Sequence, residues 1–282
     1  MAKRKCVLFV HGIGPQDPGY SDKLWSQLWD GNPPADVHKY EVLYYDTFAA
    51  MNRKVEIEEN AKKLGLRALV DGVFNNSDLA GKVEDKAVDL LRDTVSHVLY
   101  YTLHGEAKRD ILNKFKKQTA VLVREGRAAG DPEDLRIVVL SHSLGTVVSY
   151  EALHELADDP DLGRPAGIKI DSLYSLATPL AAVAKVAGLV KKKIAHVTDE
   201  ISKPARYNDA RERTELYVDR WYSYREARDP VASTLALEGA FLDNDPGVEP
   251  YCFSDTHGFS VHAFGGYIAQ AKAQITGQLQ EV

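Results

Sequence analysis

The segment Ile137-Val-Val-Leu-Ser141-His142-Ser143-Leu144-Gly145-Thr146 constrains this chain more than any other. An apolar, β-branched run passes directly into a small-x-Ser-x-Gly turn, and an apolar helical pattern starts at once on its far side. A turn so tight accepts only small side chains two positions before and after its central serine, here Ser141 and Gly145. It lifts the Ser143 hydroxyl above the strand end. It also leaves the Leu144 amide at a helix N-terminus, able to donate to an anionic oxygen. Strand, turn and helix together make Ser143 a candidate nucleophile, with His142 and Gly145 as supporting residues of the turn.

A second strand signal, Val7-Leu-Phe-Val10, ends in His11-Gly12-Ile13-Gly14, a flexible turn whose amides can face the serine. A first strand followed by Gly12-x-Gly14 also resembles the start of a dinucleotide fingerprint. That alternative needs a third glycine at position 17 and a helix opening there, but the residue is Asp17, flanked by Pro15 and Pro18. The dinucleotide alternative fails.

Elsewhere, short apolar runs alternate with helical periodicity. Strands are expected at Cys6–Val10, Tyr40–Tyr45, Arg136–Leu140, Lys169–Leu176, Glu215–Tyr224 and about Glu249–Phe253. Helices are expected at Asp22–Trp29, Glu106–Arg127, Leu144–Ala157 and Gly266–Leu279. Near-continuous apolar strands separated by helices predict a mostly parallel sheet covered on both faces, in one α/β domain spanning 1–282. Two excursions, at about 46–105 and 180–214, exceed what a crossover needs and predict helical cap insertions. In the first, Val83, Ala87, Leu90, Leu91, Val95, Val98 and Tyr101 fall on one helical face. In the second, Leu180–Val190 followed by Lys191-Lys192-Lys193 has the composition of a lid helix able to touch a lipid surface, although such a stretch more often packs on the core.

These features resemble the α/β-hydrolase superfamily, and within it the serine esterases and lipases. Leu173-Tyr-Ser-Leu-Ala-Thr178-Pro179-Leu180 is similar to the strand and turn that follow the nucleophile helix in lipases. Trp221 to Val231, with its Asp229-Pro230-Val231, is similar to the family's penultimate strand and acid loop. The departure is Ser141, where the family carries glycine. The resemblance implies an α/β-hydrolase fold and a triad in the chain order serine, acid, histidine: Ser143, Asp229 and His262. His257 is the alternative histidine; Asp219, Asp243 and Asp245 are poorer candidates for the acid. It further implies an oxyanion hole from the Ile13 and Leu144 amides, supported by His11, Gly12 and Gly14. The expected activity is hydrolysis of carboxylic esters through an acyl-enzyme, with no cofactor and no metal. Thioesterase or acyltransferase and lysophospholipase activities share this triad, and a binding protein on a hydrolase scaffold is the non-enzymatic alternative.

Other motifs carry less. His154-Glu155-Leu-Ala-Asp158 has aspartate where a zinc-protease helix needs its second histidine, and reads as a solvated helix face. Lys and Arg number 35 against 41 Asp and Glu, a net charge of −6 that argues against nucleic acid. Two cysteines cannot frame a disulfide scaffold, and no apolar run is long enough to span a membrane or serve as a signal. The expectation is a cytoplasmic protein acting on a small-molecule ester, its oligomeric state left open.

Overall fold

Along the first strand, β1 (Arg4–Val10), alternate side chains serve two different cores. Cys6, Leu8 and Val10 bury toward one helical layer, while Val7 and Phe9 bury toward another. The same division recurs on β3 (Leu135–His142), where Ile137 and Val139 join the first core and Val138 and Leu140 the second. A strand covered on both faces has no position left for a solvated side chain, which is why these runs are apolar throughout.

The structure is a computed structural model describing residues 4–49, 97–98, 101, 105–128, 135–158, 170–180, 205–208, 213–216, 218–226, 229, 248–253 and 262–280. The remaining strands are β2 (Val37–Val42), β4 (Ile170–Leu176), the short β5 (Ala205–Asn208) and β6 (Arg213–Leu216), then β7 (Val218–Glu226) and β8 (Val248–Phe253). Six of these eight described strands form one parallel sheet in the order β2-β1-β3-β4-β7-β8. The helices are α1 (Asp22–Leu28), α2 (Tyr45–Ala49), α3 (Gly105–Ala128), α4 (Leu144–Asp158) and α5 (Phe264–Gln280). Phe115 and Ile111 of α3 and Val147 and Tyr150 of α4 fill the first core; Leu28 of α1 and Ile268 and Ile275 of α5 fill the second. This is an α/β architecture with helices on both faces of a parallel sheet.

The strand order reverses once. The chain steps outward from β1 to β2, then returns across β1 to β3 and continues to β4, β7 and β8. The connections leaving β1 and β3 therefore go to opposite faces, since α1 packs in the second core and α4 in the first. The carboxyl ends of these two strands therefore mark the reversal in strand order, the usual location of a site in an open α/β sheet.

Several elements differ from the sequence pattern. β2 begins at Val37 and ends at Val42, earlier than Tyr40–Tyr45, because its register follows β1, with Lys5 opposite Val37 and Val10 opposite Val42; Tyr45 instead opens α2. The run Glu215–Tyr224 divides between β6 and β7. The second excursion, expected to be helical, contains the antiparallel pair β5–β6, with Asn208 opposite Arg213. Among the described residues β8 is the sheet's edge, a position where a strand tolerates a proline such as Pro250.

Of the first excursion, the helical residues Val98 and Tyr101 bury in the core shared with α3 and α4 rather than facing solvent. There Glu151 of α4 accepts hydrogen bonds from the Tyr101 hydroxyl and the Lys108 ammonium. Burial raises its carboxyl above the ordinary value despite the lysine. Residues 50–96, 99–100 and 102–104 of that excursion, the lid candidate Leu180–Val190 beyond Leu180, and Asp243 and Asp245 lie outside the described residues. Among the described residues no helix is long and apolar enough to cross a membrane.

Phe115 is fully buried on α3, whereas Asn113 on the same helix is exposed. Phe115→Ala should cost about 3–5 kcal/mol of unfolding free energy, and Asn113→Ala should stay within about 0.5 kcal/mol of wild type. Urea unfolding of the two variants measures both.

Candidate active site

The turn between β3 and α4 is forced by close packing. Ser143 has a φ of 52°, a left-handed conformation costly for a side-chain-bearing residue, and Leu176 at the end of β4 accepts its amide hydrogen at 2.9 Å. Two glycines allow this turn to sit beneath the end of β1. A Cβ on Gly145 would lie 2.6 Å from the Val10 carbonyl oxygen, and closer still to that of His11. A Cβ on Gly12 would lie 2.7 Å from the Ser143 Cβ and 3.2 Å from the His142 ring. The Gly12 backbone therefore runs directly against the candidate nucleophile, with the Ile13 amide following and the Leu144 amide opening α4. Ser141, the departure from glycine, is accommodated because its hydroxyl pairs with that of Ser149 on α4 at 2.7 Å.

Three side chains converge at this turn. His262 Nε2 is 3.0 Å from Ser143 Oγ, and its Nδ1 is 2.8 and 3.0 Å from the two carboxylate oxygens of Asp229. A carboxylate only accepts, so Nδ1 carries the ring proton and Nε2 accepts from the serine hydroxyl. Asp229 is fully buried and Ser143 nearly so. Each comes from a different element boundary: Ser143 follows β3, Asp229 follows β7, and His262 precedes α5. His257 lies outside the described residues, and Asp219 stands within β7, near its start and away from this end of the sheet.

The neighbouring histidines are locked neutral. His11 stacks on Tyr44 at 4.1 Å with 14° between the rings, and its Nδ1–H donates to the Gly12 carbonyl at 2.7 Å. Burial pushes its pKa down to about 4. The Tyr44 hydroxyl donates to the His11 carbonyl, pinning the loop from above. His142, beside Ser143, is buried and held well below the ordinary histidine range, first by burial and then by the proximity of His262. Its Nε2–H donates to the His262 carbonyl at 2.7 Å, and its ring stacks on Phe264. The residue before the serine thus holds the backbone of the residue that faces the serine.

Further polar links anchor the turn. The Thr146 hydroxyl donates to the Ser143 carbonyl at 2.7 Å and lies 2.7 Å from the Thr178 hydroxyl. Since the Thr146 proton is already committed, Thr178 donates in that pair. Ala177, just before it, repeats the left-handed geometry of Ser143 with a φ of 55°. Sequence reasoning passed over Tyr44, Thr146, Phe264 and Tyr267. Their roles rest on contacts between residues distant in the chain, and the only local signal is that a buried hydroxyl requires a partner.

His154 and Glu155 are solvent-facing to half-buried; Glu155 pairs with Lys116 at 2.6 Å and the His154 ring packs edgewise on Tyr150, so neither approaches this site.

The close approach at Gly145 is tested against Gly277, whose added Cβ would meet nothing within 4 Å. Gly145→Ala should lose about 1–3 kcal/mol of stability or more, whereas Gly277→Ala should be neutral or gain up to about 1 kcal/mol. Thermal melting of both proteins decides it. A second prediction follows from His11, whose folded pKa is depressed from 6.5 to about 4. The unfolded chain takes up that proton first, so the stability His11 contributes is complete above pH 6.5 and is lost as pH falls through 4. That loss amounts to about 3 kcal/mol. His11→Asn should therefore show a shallower fall in melting temperature between pH 7 and 4 than wild type.

Compared with protein-family models, with curated proteins and with solved structures, the chain shows no match to any of them.

Proposed function

We propose that this protein is a serine hydrolase of the α/β-hydrolase type that cleaves carboxylic esters. One observation carries the reading: His262 bridges Ser143 Oγ and the Asp229 carboxylate, with every contact at 3.0 Å or less. Supporting it are the left-handed serine in a strand–turn–helix and the position of the site at the reversal in strand order.

In this mechanism Ser143 Oγ attacks the ester carbonyl while His262 Nε2 takes the serine proton. Asp229 holds the imidazole in the required tautomer and stabilises the imidazolium. The developing oxyanion is met by the amides of Leu144, at the N-terminus of α4, and Ile13, beyond Gly12, each donor contributing about 3 kcal/mol to the barrier reduction. The imidazolium then protonates the leaving alcohol, and water, deprotonated by His262, releases the acid from the serine ester. Neutral His11 and His142 assist by adding no second positive charge beside the imidazolium.

The test is hydrolysis of p-nitrophenyl esters from acetate to palmitate. Wild type should turn over at least part of the series, Ser143→Ala should fall by at least about 10³-fold, and Asp229→Asn by about 10²–10⁴-fold. The chain-length optimum distinguishes a short-acyl esterase from a lipase. Equal activity in wild type and Ser143→Ala would refute the reading.

A further inference from the structure

The phenol of Tyr267 lies in the first turn of α5, fully buried, and makes two hydrogen bonds at the site. The Glu226 amide, at the end of β7, donates to its oxygen at 3.0 Å. Its own proton goes to Asp229 Oδ2 at 2.6 Å. An amide only donates and a carboxylate only accepts, so neither bond can reverse.

We propose that Tyr267 is the positioning residue of the acid, fixing the Asp229 carboxylate against His262 by a second, permanent hydrogen bond. The proposal rests on the serine-hydrolase reading of the site and extends it to a residue outside the triad. His262 Nδ1 approaches both carboxylate oxygens almost symmetrically, at 2.8 and 3.0 Å, so that contact alone does little to oppose rotation of the carboxylate. Tyr267 holds Oδ2 from a second direction and so defines the carboxylate plane.

Connectivity adds to the effect. The Asp229 amide donates to the Glu226 carbonyl at 3.1 Å, closing the turn after β7, and the Tyr267 oxygen receives the Glu226 amide. One hydroxyl thereby ties both ends of the acid turn to α5. The same helix begins two residues after His262, and the amides of Gly266 and Tyr267 both donate to the Ala263 carbonyl between them. Acid and base are thus spaced by one helical turn rather than by two independent loops. Burial, and then the charge of Asp229, raise the phenol above its ordinary pKa, so it remains a donor at any working pH.

A phenylalanine would fill the same space without the bond, which separates positioning from packing. The experiment is the rate of covalent labelling by a fluorophosphonate as a function of pH. Ser143 Oγ bonds to phosphorus, fluoride leaves, and the serine proton passes to His262. Among the described residues, the titratable groups packed around the reacting pair are His142 from β3 with His11 acting on it from the end of β1, Glu226 and Asp229 from the β7 end, and Tyr267 from α5; only Tyr267 changes in Tyr267→Phe. Relieved of this donor, the carboxylate interacts more strongly with the imidazolium, so the base form of His262 appears only at higher pH. Labelling should slow about tenfold, as expected for one hydrogen bond to a charged group, and its acid limb should move up by about one pH unit. In an Asp229→Asn background the same substitution should change the rate less than about twofold.

An unchanged rate and acid limb in Tyr267→Phe, or an equal loss in both backgrounds, would overturn the positioning role while leaving the hydrolase reading intact. Failure of wild type itself to label would overturn the hydrolase reading and this proposal with it. Should Tyr267→Phe not fold, ring-fluorinated tyrosine placed at 267 keeps the shape and makes the hydroxyl a stronger donor. The acid limb should then move down, and an unmoved limb would overturn the proposal.

Discussion

Where the end of β1 crosses the β3–α4 turn, two backbone segments approach so closely that Gly145 and Gly12 have no room for a side chain. This crowding forces Ser143 into a left-handed conformation, with the Leu176 carbonyl accepting its amide hydrogen. The strain has to be held by surrounding structure, and the sheet supplies it: β1, β3 and β4 are adjacent and parallel, each covered on both faces. A looser sheet would let the turn relax and the serine drop out of reach of His262.

Around this turn the described residues bury several polar groups, partnered in directions that chemistry fixes. His11 and His142 are neutral donors to backbone carbonyls, Thr146 donates to the Ser143 carbonyl, and Tyr267 donates to Asp229. Each bond replaces one to water that burial removed, so the network is costly to disrupt and has a single arrangement. It also connects the parts of the site to one another: His142 reaches the His262 backbone from the Ser143 side, and Tyr267 reaches Asp229 from the helix that follows His262. The proposed chemistry relies on this, since a displacement of about 1 Å between base and nucleophile is enough to impair transfer of a proton.

Much of the fold was legible because its causes are local. Near-continuous apolar runs such as Ile137–Leu140 mark strands with two covered faces, and the periodicity of Leu144–Ala157 and Gly266–Leu279 places α4 and α5 to within two residues. The pattern misplaced β2, since the aromatic Tyr44 and Tyr45 look strand-like while the ladder with β1 begins at Val37. It also missed the β5–β6 pair, whose four-residue strands are too short to show a period. In the site, Ser143 and Gly12 were legible from the steric demands of their turns. Asp229 and His262 were reached through a family resemblance, with His257 left open, because a single acid or histidine in a loop has no pattern of its own.

What the sequence determined by itself was the strand–turn–helix around Ser143, the glycine turn after β1 and the α/β alternation, all consequences of steric and burial rules that act over a few neighbouring residues. What only the tertiary structure decided was which side chains meet, His142 on the His262 carbonyl and Tyr267 on Asp229, and where the strand order reverses. Hydrogen bonds between residues 38 and 120 positions apart depend on how strands are ordered and helices docked. Strand order is a property of the whole sheet, set by which faces must be buried together, and no short stretch of the chain encodes it.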